Sequence, residues 1–324
     1  MSTLSSAPNE AASTASFQKK RVDIPSAIGA GVTLSATILI LLILGVILGN
    51  ILWNGLPGLS FRFVFSGANR DMFDVEKAGI LPMVVGTASR VILMSLFVIP
   101  VGVITAIYLS EYAKPTSATT RFIRSAVNNL AGVPSIVFGL FGMGFFIHFA
   151  GGSLDRFFHS DSAEPVWNKP GILWASLTLA VMTLPLVIVA TEESLKAIAP
   201  GLREASLALG ATKLETVQKV VLPQALPGIM TGGILAVSRA GGEVAPILFT
   251  GAAYYMAHYP QSLTDQFMDL GYHAFVLSTQ SPNVDQTRPI LFATVLTLLL
   301  LTFTLNLVAI VIRARIRRGM RAAH

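Results

Sequence analysis

The chain contains no cysteine, which excludes disulfides, thiolate metal centres and cysteine nucleophiles. Charge is scarce too: Asp, Glu, Lys and Arg make up 12% of the 324 residues, whereas a soluble domain carries about 25%. No Gly-Lys pair occurs, so the chain lacks the G-x-x-x-x-G-K-[ST] loop that holds nucleotide phosphates. Any ATP-driven work must therefore fall to a separate ATPase. His148, His159, His258, His273 and His324 show no metal spacing, and neither His-Glu-x-x-His nor Gly-x-Ser-x-Gly is present. Asp265, Asp269 and Asp285 do not follow calcium-loop spacing and read as a solvated face or a contact for a partner. With so few polar groups for a catalytic set, the expectation is a chain that is not an enzyme and holds no cofactor or metal of its own.

What the chain has instead is apolar mass. Hydrophobic residues make up 53% of it, with a mean hydropathy of +0.67. They fall in blocks that are apolar on every side, which a water-facing helix does not tolerate. Six stretches are long enough to cross a bilayer, which takes about 20 residues: 27–53, 80–110, 126–150, 172–191, 225–257 and 289–312. Only the second, with Arg90, and the fifth, with Arg239 and Glu243, contain a charged residue. The sequence thus predicts an all-α membrane protein whose solvent is the lipid bilayer. The net charge of +6 does not indicate nucleic acid, because the basic residues cluster at block ends without interleaved aromatics.

Cytoplasmic segments carry the excess of Lys and Arg. With the N-terminus inside, fifteen fall on that side (Lys19, Lys20, Arg21, Lys114, Arg121, Arg124, Lys196, Arg203, Lys213, Lys219 and the five arginines from Arg313 to Arg321). Six fall outside: Arg62, Arg70, Lys77, Arg156, Lys169 and Arg288. Both termini are therefore expected in the cytoplasm. Residues 1–26 read as a flexible tail, 27–312 as the membrane domain and 313–324 as a basic tail. The run after Lys19-Lys20-Arg21 is too long for a signal core and reads as a retained helix. Pro100 and Pro185 read as ordinary kinks, and Pro134 and Pro246 as residues that shape a pathway. No inverted repeat is visible, which counts against many secondary transporters.

The loop 192–224 has its own punctuation. Pro200-Gly201 opens a helix in which Leu202, Ala205, Ser206 and Leu209 share a face, and Gly210 supplies a left-handed cap. Thr212 and Glu215 fit a capping box for a second helix, which Leu222-Pro223 is expected to end. On periodicity alone, this could equally be a surface loop lying on the bilayer.

Glu204-Ala205-Ser206, three residues, Gly210, nine residues, Val220, one residue and Leu222-Pro223 resemble the EAA motif of bacterial ABC-importer permeases, departing only at Ser206 and Val220. The resemblance implies a type I importer permease core over about 80–312. It also implies that Glu204, Ala205, Gly210, Leu222 and Pro223 couple the chain to an ATPase, whose cleft receives the two short helices. Ala78–Pro82, Tyr108–Ala113, Asn128–Val137 and Ser238–Pro246 are similar to the A-type permeases of Pst phosphate importers. That likeness implies a bacterial inner-membrane location. Its implied partners are a C-type permease in a heterodimer, a homodimeric subunit that binds ATP and magnesium, and an extracytoplasmic phosphate-binding protein.

The residues themselves favour an anion. Arg239 and Glu243 are four apart, and charges in a span usually face a pathway or partner. The guanidinium fork suits phosphate oxygens. A structural ion pair stays open as a reading, as do molybdate, sulfate or a phosphonate as solute, or transport without ATP. Arg90 is expected to snorkel to the interface.

Overall fold

The computed structural model describes residues 24–68, 73 and 77–322. The tail as far as residue 23, with Lys19, Lys20 and Arg21, lies outside the described residues, as does Arg70. The chain divides into two units, one ending at Asn50 and the other starting at Ile51. The first contains most of the helix Ile24–Gly55, whose apolar side chains are exposed all round, as in lipid.

Among the described residues, six helices are long and apolar enough to span a membrane: Ile28–Gly55, Leu81–Tyr112, Ser135–Phe158, Ile172–Lys196, Lys213–Gly242 and Val284–Gly319. They are called spans one to six below. No strand forms among the described residues beyond a single bridge, Ala252 to Phe267.

Of the span boundaries that differ from the sequence reading, two have plain local reasons. The third starts at Ser135, not 126, because Gly132-Val133-Pro134 breaks the run and leaves Ala118–Leu130 as a separate amphipathic helix. Pro134 has no N–H to continue a helix and sits at the N-cap of the span. The fifth ends at Gly242, not 257. Gly241-Gly242 are weak helix formers, and Pro246 biases Ala245 away from helical angles, so Glu243 already lies in extended backbone. From there the chain folds back through the helices Ile247–Thr250 and Leu270–Thr279 before span six.

That return segment serves the start of span four. The N–H groups of Gly171, Ile172 and Leu173 lack intrahelical partners and donate to the carbonyls of Thr250, Asp265 and Leu263 at 2.8–3.0 Å. The Asp265 side chain in turn accepts the N–H groups of Gln261 and Ser262, which holds its carboxyl below the usual range.

Spans two, four and five meet around Met94, Val98, Leu179, Met182, Val187, Ala236 and Ala240, all buried. Close approach is set by small residues, as in membrane helix pairs generally. A Cβ on Gly102 would lie 2.7 Å from the Val187 side chain, and one on Gly232 2.8 Å from Ala190. Span four is the most enclosed, whereas Ile92, Leu96, Ile104 and Phe303 on spans two and six are exposed. Pro100 and Pro185 stay within helix.

The capped loop and the fifth span

Pro200 fills the first turn of a helix, Pro200–Ala208, at a position where its missing N–H costs nothing. The helix closes through Gly210, whose φ of +88° lies in the left-handed region. Gly210 N–H donates to the Leu207 carbonyl at 3.0 Å and Ala211 N–H to Ser206 at 3.2 Å, the paired bonds of a Schellman closure. Two residues later Thr212 accepts the Glu215 N–H at 3.2 Å while the Glu215 carboxylate accepts the Thr212 N–H at 3.0 Å. A hydroxyl pair, Ser206 to Thr216 at 2.9 Å, joins the two helices, so the Ser that departs from the motif's Ala adds a cross-link.

The second helix does not end at Leu222-Pro223. It passes through a wider turn at Val217–Val221 and continues without interruption to Gly242. A wider turn shifts the hydrogen-bond register where Pro223 has no N–H to offer. Leu222 packs against the cluster of Leu195, Ile198, Val221, Ala225 and Ile229, so it is part of the interior. Glu204, Ala205 and Gly210 are exposed, with Leu207 and Leu209, the latter 89% exposed, beside them. The Glu204 side chain has no hydrogen-bond partner among the described residues. The motif thus splits into an exposed side and a packed root continuous with span five.

The loop is tied to the end of span two by contacts that sequence reading missed. Arg203 donates to the Glu111 carboxylate, at 2.7 Å for the shortest bond, and to the carbonyls of Leu195 and Ile198 at 2.8 Å each. Lys213 sits 5.0 Å from the centre of the Tyr112 ring. Beside them Arg124 pairs with Glu192 at 3.1 Å and donates to the Leu109 carbonyl. Glu111 is only 9% exposed. Arg203→Ala, which leaves that carboxylate unpaired, is therefore expected to destabilise the purified protein by about 1–3 kcal/mol. Glu111→Gln should cost less, because the Arg203 guanidinium keeps two carbonyls. Thermal unfolding midpoints check this order, and equal midpoints would contradict it.

At the far end of span five, Arg239 Nε lies 3.5 Å from Glu243 Oε1, with the arginine 39% exposed. Arg239 lies in the last turn of the helix and Glu243 at its C-cap, so the four-residue spacing sets the two side by side at the helix end. Arg239 borders a cavity of about 360 Å³ with Asn128, Met182, Pro185 and Leu235. A second cavity, of about 210 Å³, is lined by Arg124, Glu192 and Lys196. Both are lined by Val127, Asn128 and Val189, so the two cavities adjoin, and the second carries Glu192 and Glu193 beside its basic groups.

Arg90 does not snorkel. It is fully buried and paired with Asp269 at 2.6 Å, and Asp269 is no part of a solvated face. A tenth residue into a span still lies well inside the hydrocarbon region, and a carboxylate brought back by the return segment meets the guanidinium there. His148 lies on span three with its ring 3.2 Å from the Asn168 side chain.

A multi-pass helical bundle whose capped helix–turn–helix runs straight into its fifth span has the type I ABC-importer permease fold. The chain belongs to the family of binding-protein-dependent transport system inner membrane components, whose pattern matches residues 98–322. It is 33% identical over 217 residues to the probable ABC transporter permease protein YqgI of Bacillus subtilis, covering 67% of each chain. It is 32% identical over 238 residues to the phosphate transport system permease protein PstA 1 of Mycobacterium tuberculosis H37Rv, covering 72% of this chain and 70% of that one. In fold it resembles a chain of a bacterial ABC transporter involved in import of the acidic polysaccharide alginate. There the TM-score is 0.59 at 15% identity, over 90% of this chain and 98% of that one.

Proposed function

We propose that the chain is the A-type permease subunit of an ATP-driven importer that moves inorganic phosphate into the bacterial cytoplasm across the inner membrane. Arg239 is the observation that carries the anion. It is a permanent cation bordering a cavity between spans four and five, and among the described residues its one carboxylate contact lies at 3.5 Å, long for a charge-assisted bond. Glu243 holds it partly neutralised until an oxyanion competes. Asn128, shared with the adjoining cavity that Arg124 lines, would lead an anion on toward the loop end. The likeness to permeases named for phosphate transport supports phosphate as the solute.

In this reading both termini and the loop lie in the cytoplasm. A homodimeric ATPase, which binds ATP and magnesium, docks on the exposed side of Pro200–Ala208 around Glu204, Ala205 and Gly210. Its closure pushes the loop, and the unbroken helix from Lys213 carries that motion to Gly242. Leu222 and Pro223 root the lever in the bundle. A C-type permease completes the pathway as a heterodimer. An extracytoplasmic binding protein delivers the anion and sets most of the selectivity, since tight binding at Arg239 would oppose release. A solved alginate transporter of similar fold was captured with its periplasmic protein, which supports such a partner (TM-score 0.59, 14% identity).

The test is radiolabelled phosphate uptake in a bacterial strain lacking its own permease and supplied with this chain and its companion subunits. Uptake that depends on ATP and resists sulfate and molybdate competition is the expected result. Failure to carry phosphate while another oxyanion is carried would overturn the solute.

A further inference from the structure

We propose that Arg90 is a positioning residue for transport: it grips the last turn of span five and so fixes the separation of Arg239 and Glu243. The proposal rests on the reading of that pair as part of an anion pathway.

Arg90 is fully buried, and its three bonds run to two different places. Nε donates to Asp269 Oδ2 at 2.6 Å, Nη1 to the Ala240 carbonyl at 2.8 Å and Nη2 to the Gly241 carbonyl at 3.3 Å. Those carbonyls belong to the two residues that follow Arg239, inside the interval that ends at Glu243. The Ala240 carbonyl also takes the Glu243 N–H at 3.3 Å. One oxygen thus receives both the guanidinium and the residue at which the helix turns extended.

The end of a helix leaves its last carbonyls without intrahelical donors, and a guanidinium supplies donors and a charge suited to that end. Asp269 fixes the guanidinium in turn. Its Oδ2 takes the Thr87 hydroxyl at 2.8 Å, and its Oδ1 accepts the N–H groups of Gly271 and Tyr272 at the start of the Leu270–Thr279 helix. Thr87 Oγ1 also accepts the Leu270 N–H at 3.0 Å. A pair that only fastened span two to this helix would need the Asp269 bond alone. The two bonds to span five are what tie Arg90 to the geometry of Arg239.

The test uses the full complex reconstituted in vesicles, with inorganic phosphate as the probe. Arg90→Gln and Asp269→Asn are combined, because either alone leaves a buried charge unpaired. A Gly242→Cys background reports on the break: the chain has no other cysteine, and a Cβ at Gly242 meets nothing within 4 Å. The double variant is expected to assemble and hydrolyse ATP, while uptake per assembled complex falls about tenfold or more, as for a displaced reacting group. The rate of maleimide labelling at the Gly242→Cys thiol should rise at least about threefold as the last turn opens locally. Half-maximal uptake should need the same concentration of binding protein.

Unchanged labelling overturns the proposal, and so does altered labelling with uptake per complex at the unsubstituted level. If the unsubstituted complex carries no phosphate, the solute reading fails and labelling alone decides the positioning. Arg90→Lys keeps the charge but cannot span Asp269 and two carbonyls. It should shift both readouts in the same direction by less, and it decides the matter if the double variant does not assemble.

Discussion

Replacing Gly210 with valine is expected to reduce ATP-driven uptake at least about tenfold while leaving the chain inserted in the membrane at its normal level. The reason is backbone strain: φ is +88° at Gly210, and an added Cβ would meet nothing within 4 Å. A left-handed conformation costs an ordinary L-residue roughly 1–2 kcal/mol, and a β-branched one more. That cost falls on the closure that sets the angle between Pro200–Ala208 and the helix from Lys213. Since Leu207, Leu209 and Leu214 are exposed, distorting this angle removes little packing within the chain and leaves insertion intact. The order of substitutions separates strain from bulk. Asn tolerates left-handed angles, so Gly210→Asn should retain more uptake than Gly210→Ala, and Gly210→Val the least. Uptake with co-purification of the ATPase measures this. Normal values for the valine variant would remove Gly210 from the coupling role.

Arg239→Ala should lower phosphate uptake about a hundredfold, the loss expected when a charged hydrogen-bond donor to an anion worth about 2.7 kcal/mol is removed. Arg239→Lys should retain part of the rate, because an ammonium attracts the anion but lacks the planar fork. Assembly should survive, since Arg239 is 39% exposed and makes one long ion pair among the described residues. The rival reading, a fastener between Arg239 and Glu243, makes the opposite forecast for the double variant. If the pair only fastens, adding Glu243→Ala to Arg239→Ala removes the stranded carboxylate and restores uptake. If Arg239 meets the anion, the double variant stays as poor as the single. Uptake by the three variants, normalised to assembled complex, separates the two.

The spans could be found without a structure because hydropathy is a sum over neighbours in sequence, and lipid selects for that sum. Caps were legible for a similar reason: Gly210, Thr212 and Glu215 act within one or two turns of themselves. Errors arose where two local signals competed. The apolar run past Gly242 outweighed Gly241-Gly242 and Pro246 in the reading of span five, and Leu222-Pro223 looked like a stop although a wider turn absorbs the proline.

What sequence determined here is therefore one-dimensional: six apolar helices, a capped loop between the fourth and fifth, and a charged pair four residues apart. The tertiary structure decided which charges meet. Arg90 and Asp269 are 179 positions apart, and Arg203 and Glu111 are 92 apart. No periodicity connects such residues; only the return of the chain after Gly242 and the packing of spans two and four bring them together. In a low-dielectric interior each of these charges would be costly alone, so their positions fix one another. Only the structure shows that the loop's second helix and the span leading to Arg239 are one continuous helix.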